Sequence, residues 1–308
     1  MEKGLIMRST GSWYEVRSES GEIFSGRLKG KFKIKGMQTS NPIAVGDWVH
    51  YSMEDETHKH VIIEDILPRS NYIIRKSVHK TAHGQLMACN LDQAVFIMTL
   101  KMPKTSLGFL DRFLVTAEAF RIPVTIVFNK MDLLNESEQE EVFELAALYE
   151  ELGYGVLLTS VETGVGMEEF KHLFKLKVTL LAGHSGVGKS TLLNQVSPQL
   201  NIKTSEISDF AKKGVHTTTY ATMWELEKDT FLIDSPGINE LGVMEIEEDE
   251  LSHYFPEMRA LLGECKFNNC RHVREPGCAV IHALEEGEIA TSRYLSYLSI
   301  LENKDNRR

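Results

Sequence analysis

The chain has no apolar run long enough to cross a bilayer. Its longest are Ala94 to Leu100 and Val178 to Ala182, whereas a spanning helix needs about 20 apolar residues. Met1-Glu2-Lys3-Gly4 opens no secretory leader pattern, so a cytoplasmic protein without a membrane partner is expected. Cysteine is scarce: of four in 308 residues, Cys89 stands alone in an apolar context and the other three crowd between 265 and 278. That distribution argues against a disulfide framework and for a reducing compartment with a local metal site. Basic charge is also in deficit, with 34 Lys and Arg against 44 Asp and Glu. Residues 1–70 carry 10 basic and 10 acidic side chains, 71–240 carry 16 and 21, and 241–308 carry 8 and 13. Indiscriminate polyanion binding is excluded, and any nucleic-acid contact must use local patches. Internal repeats and low-complexity segments are absent.

What is present suits a soluble protein of two or three domains, with 42% hydrophobic and 25% charged residues. Residues 1–70 read as short strands at 12–16, 23–28, 32–34, 45–51 and 61–67, separated by turn signals, and predict a small barrel of the oligonucleotide-binding (OB) type. Within it Arg27, Lys29, Lys31, Lys33 and Lys35 alternate with Leu28, Gly30, Phe32 and Ile34, placing the cations on one strand face. That face is either a solvated exterior or a track for RNA phosphates.

Residues 71–240 follow a βαβ rhythm. Buried strands are expected at 91–99, 123–128, 156–159, 178–182 and 230–233, with helices at 110–120, 138–152 and 167–174. One doubly wound parallel sheet follows. Residues 241–308 form a third, small unit, with an acidic helix start at 245–250, the cysteine cluster, and a helix from Ala283 to Leu301.

The chemistry concentrates at strand ends. Gly183-His184-Ser185-Gly186-Val187-Gly188-Lys189-Ser190-Thr191, between the strand 178–182 and a helical pattern, fits a phosphate-binding loop. Its glycines let backbone N–H groups wrap phosphates, Lys189 supplies a fixed positive charge, and the Ser190 hydroxyl suits magnesium. A nucleoside triphosphate is the expected ligand. Asn129-Lys130-Met131-Asp132 follows the strand ending at Phe128. The Asp132 carboxylate can accept from the adjacent N1–H and N2–H of guanine, whereas adenine offers an acceptor at N1. Asp234-Ser235-Pro236-Gly237 places a carboxylate at a strand end and a glycine N–H that could meet a terminal phosphate. A threonine of Thr217-Thr218-Thr219 could complete magnesium coordination, with Thr218 preferred. Ile238, directly after the Asp-Ser-Pro-Gly turn, offers no polar group to orient an attacking water, which leaves His216 as a candidate catalytic group or a plain loop residue.

Cys265-x4-Cys270-x-His272-x5-Cys278 offers three thiolates and an imidazole, enough for a closed tetrahedral zinc site with no open catalytic position. Reduced cysteines beside a surface histidine are the alternative, because the spacing is not that of a standard finger.

Together, Asn-Lys-x-Asp, Thr159-Ser160-Val161, the phosphate loop, His-Thr-Thr-Thr and Asp-Ser-Pro-Gly resemble the motifs of a regulatory GTPase. Their order is rotated, with the guanine motif at 129 ahead of the phosphate loop at 183. This circular permutation, the N-terminal barrel and the C-terminal cysteine cluster resemble the ribosome small-subunit-dependent GTPase A family over nearly the whole chain. Val161, Ser235 and Val215 depart from the usual residues but remove no phosphate or metal ligand. The resemblance implies GTP as substrate and GDP as product, with magnesium, one structural zinc on Cys265, Cys270, His272 and Cys278, and a base edge at Ser160 and Val161. It also implies late assembly of the small (30S) ribosomal subunit on its 16S rRNA, with hydrolysis stimulated by the subunit. The chain is read as a monomer. Rival readings are a phosphate-loop small-molecule kinase and an RNA-binding module with guanine nucleotide as a structural or regulatory ligand.

Overall fold

The computed structural model describes residues 1–10, 12–29, 41–75, 85–197, 221–234 and 246–302. β1 (Glu2–Ser9), β2 (Tyr14–Ser18), β3 (Ile23–Leu28), β4 (Trp48–Asp55) and β5 (His60–Ile66) run in the order β1-β2-β3-β5-β4, and β4 pairs back onto β1. The result is a closed five-stranded barrel. Its interior is filled by every second side chain, including Val16, Val49, Val61 and Ile63. Arg27 and Lys29 sit on the barrel's outside, where Arg27 is paired with Glu54 and Lys29 donates to Glu64 at 2.6 Å. These two cations therefore meet acids on β4 and β5, which the window 27–35 could not reveal. Lys31, Lys33 and Lys35 lie outside the described residues.

A hairpin of β6 (Tyr72–Arg75) and β7 (Gln85–Cys89) leads into the main sheet. There β8 (Gln93–Met98), β9 (Val124–Phe128), β10 (Gly155–Leu158), β11 (Val178–Ala182), β12 (Thr222–Glu227) and β13 (Thr230–Asp234) lie in the order β10-β9-β8-β11-β13-β12. Five of these strands are parallel, but β12 runs antiparallel to β13. The sheet is thus mixed, not wholly parallel, because residues 228–229 make a tight reversal with Asp229 at φ 59°. All six residues of β8 are buried. Ala94, Phe96 and Met98 face the layer of α1 (Leu107–Ala119) and α2 (Glu136–Glu151), while Val95 and Ile97 face α3 (Met167–His172) and α4 (Lys189–Val196). Helices on both faces explain why these strands read as continuous apolar runs. Asn135 and Glu138 form a reciprocal capping box that starts α2.

β12 also meets the barrel: Arg8 of β1 bridges Thr222, and Arg17 of β2 donates to both carboxylate oxygens of Glu225, at 2.9 and 2.7 Å. The C-terminal unit contains α5 (Pro256–Arg259), α6 (Ala279–Glu285) and α7 (Thr291–Leu301). Two expectations fail here. The described acidic residues 246–250 form no helix, only a turn before one 3-10 turn at Leu251–Tyr254. The single helix expected over 283–301 is two, interrupted where Gly287 takes φ 81°. The unit's core, with Phe255, Met258, Val280 and Tyr297, includes Val115 of α1. Among the described residues no helix is long and apolar enough to cross a membrane.

Candidate functional site

β9, β10, β11 and β13 bring four of the sequence motifs to one edge of the sheet. At the end of β11 the chain turns through Gly183, at φ 137°, where a Cβ would lie 2.2 Å from the Ile97 carbonyl oxygen. Only glycine fits so close to β8. The loop reaches α4 through Gly188, at φ 99°, where a Cβ would come within 2.4 Å of the Asn129 amide nitrogen. Ser185 and Gly186 are exposed and Val187 is buried in the core beneath the loop. Lys189 and Ser190 open α4 and are both buried, and Thr191 beside them is exposed.

Lys189 Nζ donates to the carbonyl oxygens of Gly183 and His184, each at 2.7 Å. Burial pulls its ammonium down to about 8, with Asp234 opposing that fall. Asp234, at the end of β13, is pushed up to about 6 by burial, with Lys189 holding it down in part. Each group thus lacks sufficient counter-charge, and an anionic phosphate with a divalent cation would supply both. The His184 ring stacks on Phe109 with centroids 4.0 Å apart and planes 29° apart. Burial, then the nearby Lys189 charge, lower its pKa.

The guanine-type motif clasps this loop. Asn129 donates to the Val187 carbonyl at 2.8 Å and accepts from Thr159 Oγ1 at 3.0 Å, joining β9, β10 and the phosphate loop by one buried amide. Lys130 takes a left-handed conformation at φ 62° and donates to the carbonyls of Met102 at 2.6 Å and Gly186 at 2.7 Å. Asp132 stands exposed on a 3-10 turn, and its Oδ1 accepts from the buried Ser160 hydroxyl at 2.5 Å. Ser160 in turn accepts from the Thr163 N–H at 3.2 Å, while Val161 packs against the apolar layer beneath. His216, Thr217, Thr218, Thr219, Ser235, Gly237 and Ile238 lie outside the described residues. The Phe109 contact was missed because nothing in the spacing of an apolar helix marks which ring meets a loop.

A second site is formed by Cys265, Cys270, His272 and Cys278, whose ligand atoms all lie within 4.8 Å of one another. Cys265 Sγ is 3.9 Å from Cys278 Sγ and 3.6 Å from His272 Nδ1, and His272 Nδ1 is 3.4 Å from Cys278 Sγ. A tetrahedron with ordinary Zn–S and Zn–N lengths has edges of about 3.8 and 3.6 Å. The donor set therefore fits zinc. Burial pushes the Cys270 thiol up to about 12 and the Cys278 thiol above its usual value. A cation reverses that balance by binding the thiolates. The backbone supports the cluster: Tyr294 and Tyr297 donate to the carbonyls of His272 and Arg271, each at 2.7 Å, and the Ala279 N–H points to Cys265 Sγ at 3.4 Å.

Comparison with known proteins agrees with this architecture. Residues 3–61 match the RsgA N-terminal domain family and residues 66–244 the RsgA GTPase family. The chain is 54% identical over 306 residues to the small ribosomal subunit biogenesis GTPase RsgA of Cytophaga hutchinsonii, covering 99% of this chain and 100% of that one. It is 45% identical to the protein of that name from Bacteroides fragilis strain YCH46, covering 98% and 97%. Among solved structures, YjeQ from Thermotoga maritima superposes with a TM-score of 0.77 at 37% identity, covering 100% and 99%. YloQ, described as a circularly permuted GTPase, superposes at 0.72 and 31% identity, covering 100% and 96%.

Proposed function

Because the chain belongs to the RsgA GTPase family, we propose that it hydrolyses GTP at the β9–β10–β11–β13 edge and uses the cycle in biogenesis of the small ribosomal subunit. The observation that carries this reading is the Asn129 clasp, which fixes a guanine-selective motif to a phosphate loop within hydrogen-bond distance. In a kinase with a bare phosphate loop, nothing would require that junction.

In the proposed mechanism Asp132, aimed by Ser160, pairs with guanine N1–H and N2–H, and the Lys130 stem covers one face of the base. Lys189 releases the Gly183 and His184 carbonyls and turns to the phosphates, while the loop's N–H groups, from Gly183 to Thr191, enclose them. Ser190 and Thr218 would hold magnesium, with Asp234 nearby, and the ion would neutralise charge developing on the transferred phosphoryl group. The Gly237 N–H would meet the terminal phosphate, and His216 would orient the attacking water that Ile238 cannot. Intrinsic turnover would be slow and would rise on the subunit.

The proposed division of labour is residues 1–70 as an OB-type RNA-binding domain, 71–240 as the permuted GTPase domain and 241–308 as the zinc domain. The first and third would contact 16S rRNA at a late stage of 30S maturation, with the protein acting as a cytoplasmic monomer. The test is GTP hydrolysis with and without purified small subunits. At least about tenfold stimulation is expected, and no stimulation would remove the ribosomal part of the reading.

A further inference from the structure

The C-terminal unit reaches the phosphate loop through a helix that none of the nucleotide motifs includes. In its first turn α1 carries Phe109, whose ring lies 4.0 Å from that of His184 in the loop. Two residues on, Asp111 receives Arg293 of α7 at 2.5 Å, and both side chains are almost fully buried. Arg293 also donates to Glu257 of α5 at 2.8 Å, and Tyr149 of α2 donates to Asp111 at 2.8 Å. Further along α1, Val115 sits in the C-terminal core and Glu118 accepts from Arg259 at 2.7 Å. Successive helical residues are about 100° apart, so positions 109 and 111 point to roughly opposite sides of α1. The helix is held between the phosphate loop and the C-terminal unit, and its 13 residues contain no break.

We propose that Phe109 is a positioning residue for the phosphate loop and that Arg293, by holding α1, sets where Phe109 stands. Movement of the C-terminal unit on Asp111 then displaces the ring under His184, whose carbonyl is one of the two that hold Lys189. Guanine-nucleotide binding and docking of the unit are linked in both directions, as binding free energies require. This inference rests on residues 183–191 being the nucleotide loop.

The experiment measures binding of a fluorescent guanosine diphosphate analogue to the full chain and its variants. Arg293→Lys keeps the charge but loses the fork that spans Asp111 and Glu257, and should raise Kd about fivefold. In a His184→Ser background, with no ring on Phe109, the same change should alter Kd by less than about 1.5-fold. His184→Phe restores a stacked ring and should restore the fivefold effect, which a merely structural role for Arg293 would not do. If circular dichroism shows Arg293→Lys unfolded, Glu257→Gln takes its place with the same expected pattern. An unchanged Kd in the folded Arg293 variant, or an equal effect in all three backgrounds, overturns the proposal. Failure of the parent to bind the analogue overturns the nucleotide reading instead.

Discussion

Replacing Asn129 by alanine tests whether the two halves of the nucleotide site are one structure. The Asn129 side chain is only 5% exposed and makes two hydrogen bonds, to the Val187 carbonyl and from the Thr159 hydroxyl. A buried hydrogen bond is worth about 1 kcal/mol net, and a partner left unsatisfied costs about 1–3 kcal/mol. Thr159 is fully buried, and the Val187 carbonyl faces the cavity that the amide vacates. Asn129→Ala should therefore destabilise the nucleotide-free GTPase domain by about 2–4 kcal/mol. The assay is urea unfolding without nucleotide, because ligand binding would add its own stabilisation. Trp224 lies in β12 and the other two tryptophans in the barrel region, so a Trp13→Phe, Trp48→Phe background makes its fluorescence report on this domain. Thr159→Val added to Asn129→Ala removes the orphaned hydroxyl, and the double variant should be about 1 kcal/mol more stable than the sum of single effects. Loss of less than about 0.5 kcal/mol, or strict additivity, would refute the clasp as the junction between the motifs.

Asp132→Asn should turn preference from guanine to xanthine nucleotides in competition binding, and undiminished GTP affinity would contradict the base assignment. Lys189→Ala should abolish hydrolysis while leaving circular dichroism unchanged, since the ammonium contributes charge to the phosphates but is itself buried at a cost. Asp234 holds its proton up to about 6 when folded but only to 3.8 as an ordinary carboxyl, so the folded state binds more protons between these values. Nucleotide-free stability should fall as pH rises from 4 to 6 on this account, and Asp234→Asn should flatten that slope in urea melts. Chelation should melt the C-terminal unit before the GTPase domain, with elemental analysis finding about one zinc per chain in fresh protein.

The site was legible where chemistry forces residue type and spacing together. Gly183 and Gly188 hold φ values of 137° and 99° with no room for a side chain, and Lys189 and Asp132 stand out in their motifs by their charge. The gathering of Cys265, Cys270, His272 and Cys278 was legible for the same reason. Packing relationships were less so. β1 was missed because a register shift between Ile6 and Arg8 breaks its alternation, and the reversal that makes β12 antiparallel depends on two residues of turn. The break between α6 and α7 turns on Gly287, which a 3.6-residue period passes over. Arg27 and Lys29 looked like a basic track because their acid partners, Glu54 and Glu64, are remote in sequence.

The junction at β12 has a consequence for handling the protein in pieces. β12 ends the main sheet, and along its outer side it meets β1 of the barrel through the Arg8 bridge, with the fork of Arg17 on Glu225 beside it. Removing residues 1–70 would strip both away and expose a strand with Met223 and Trp224 and open backbone donors and acceptors. Such an edge recruits further strands. The excised GTPase domain should self-associate through β12, and a lysine placed at Thr222 should keep it soluble.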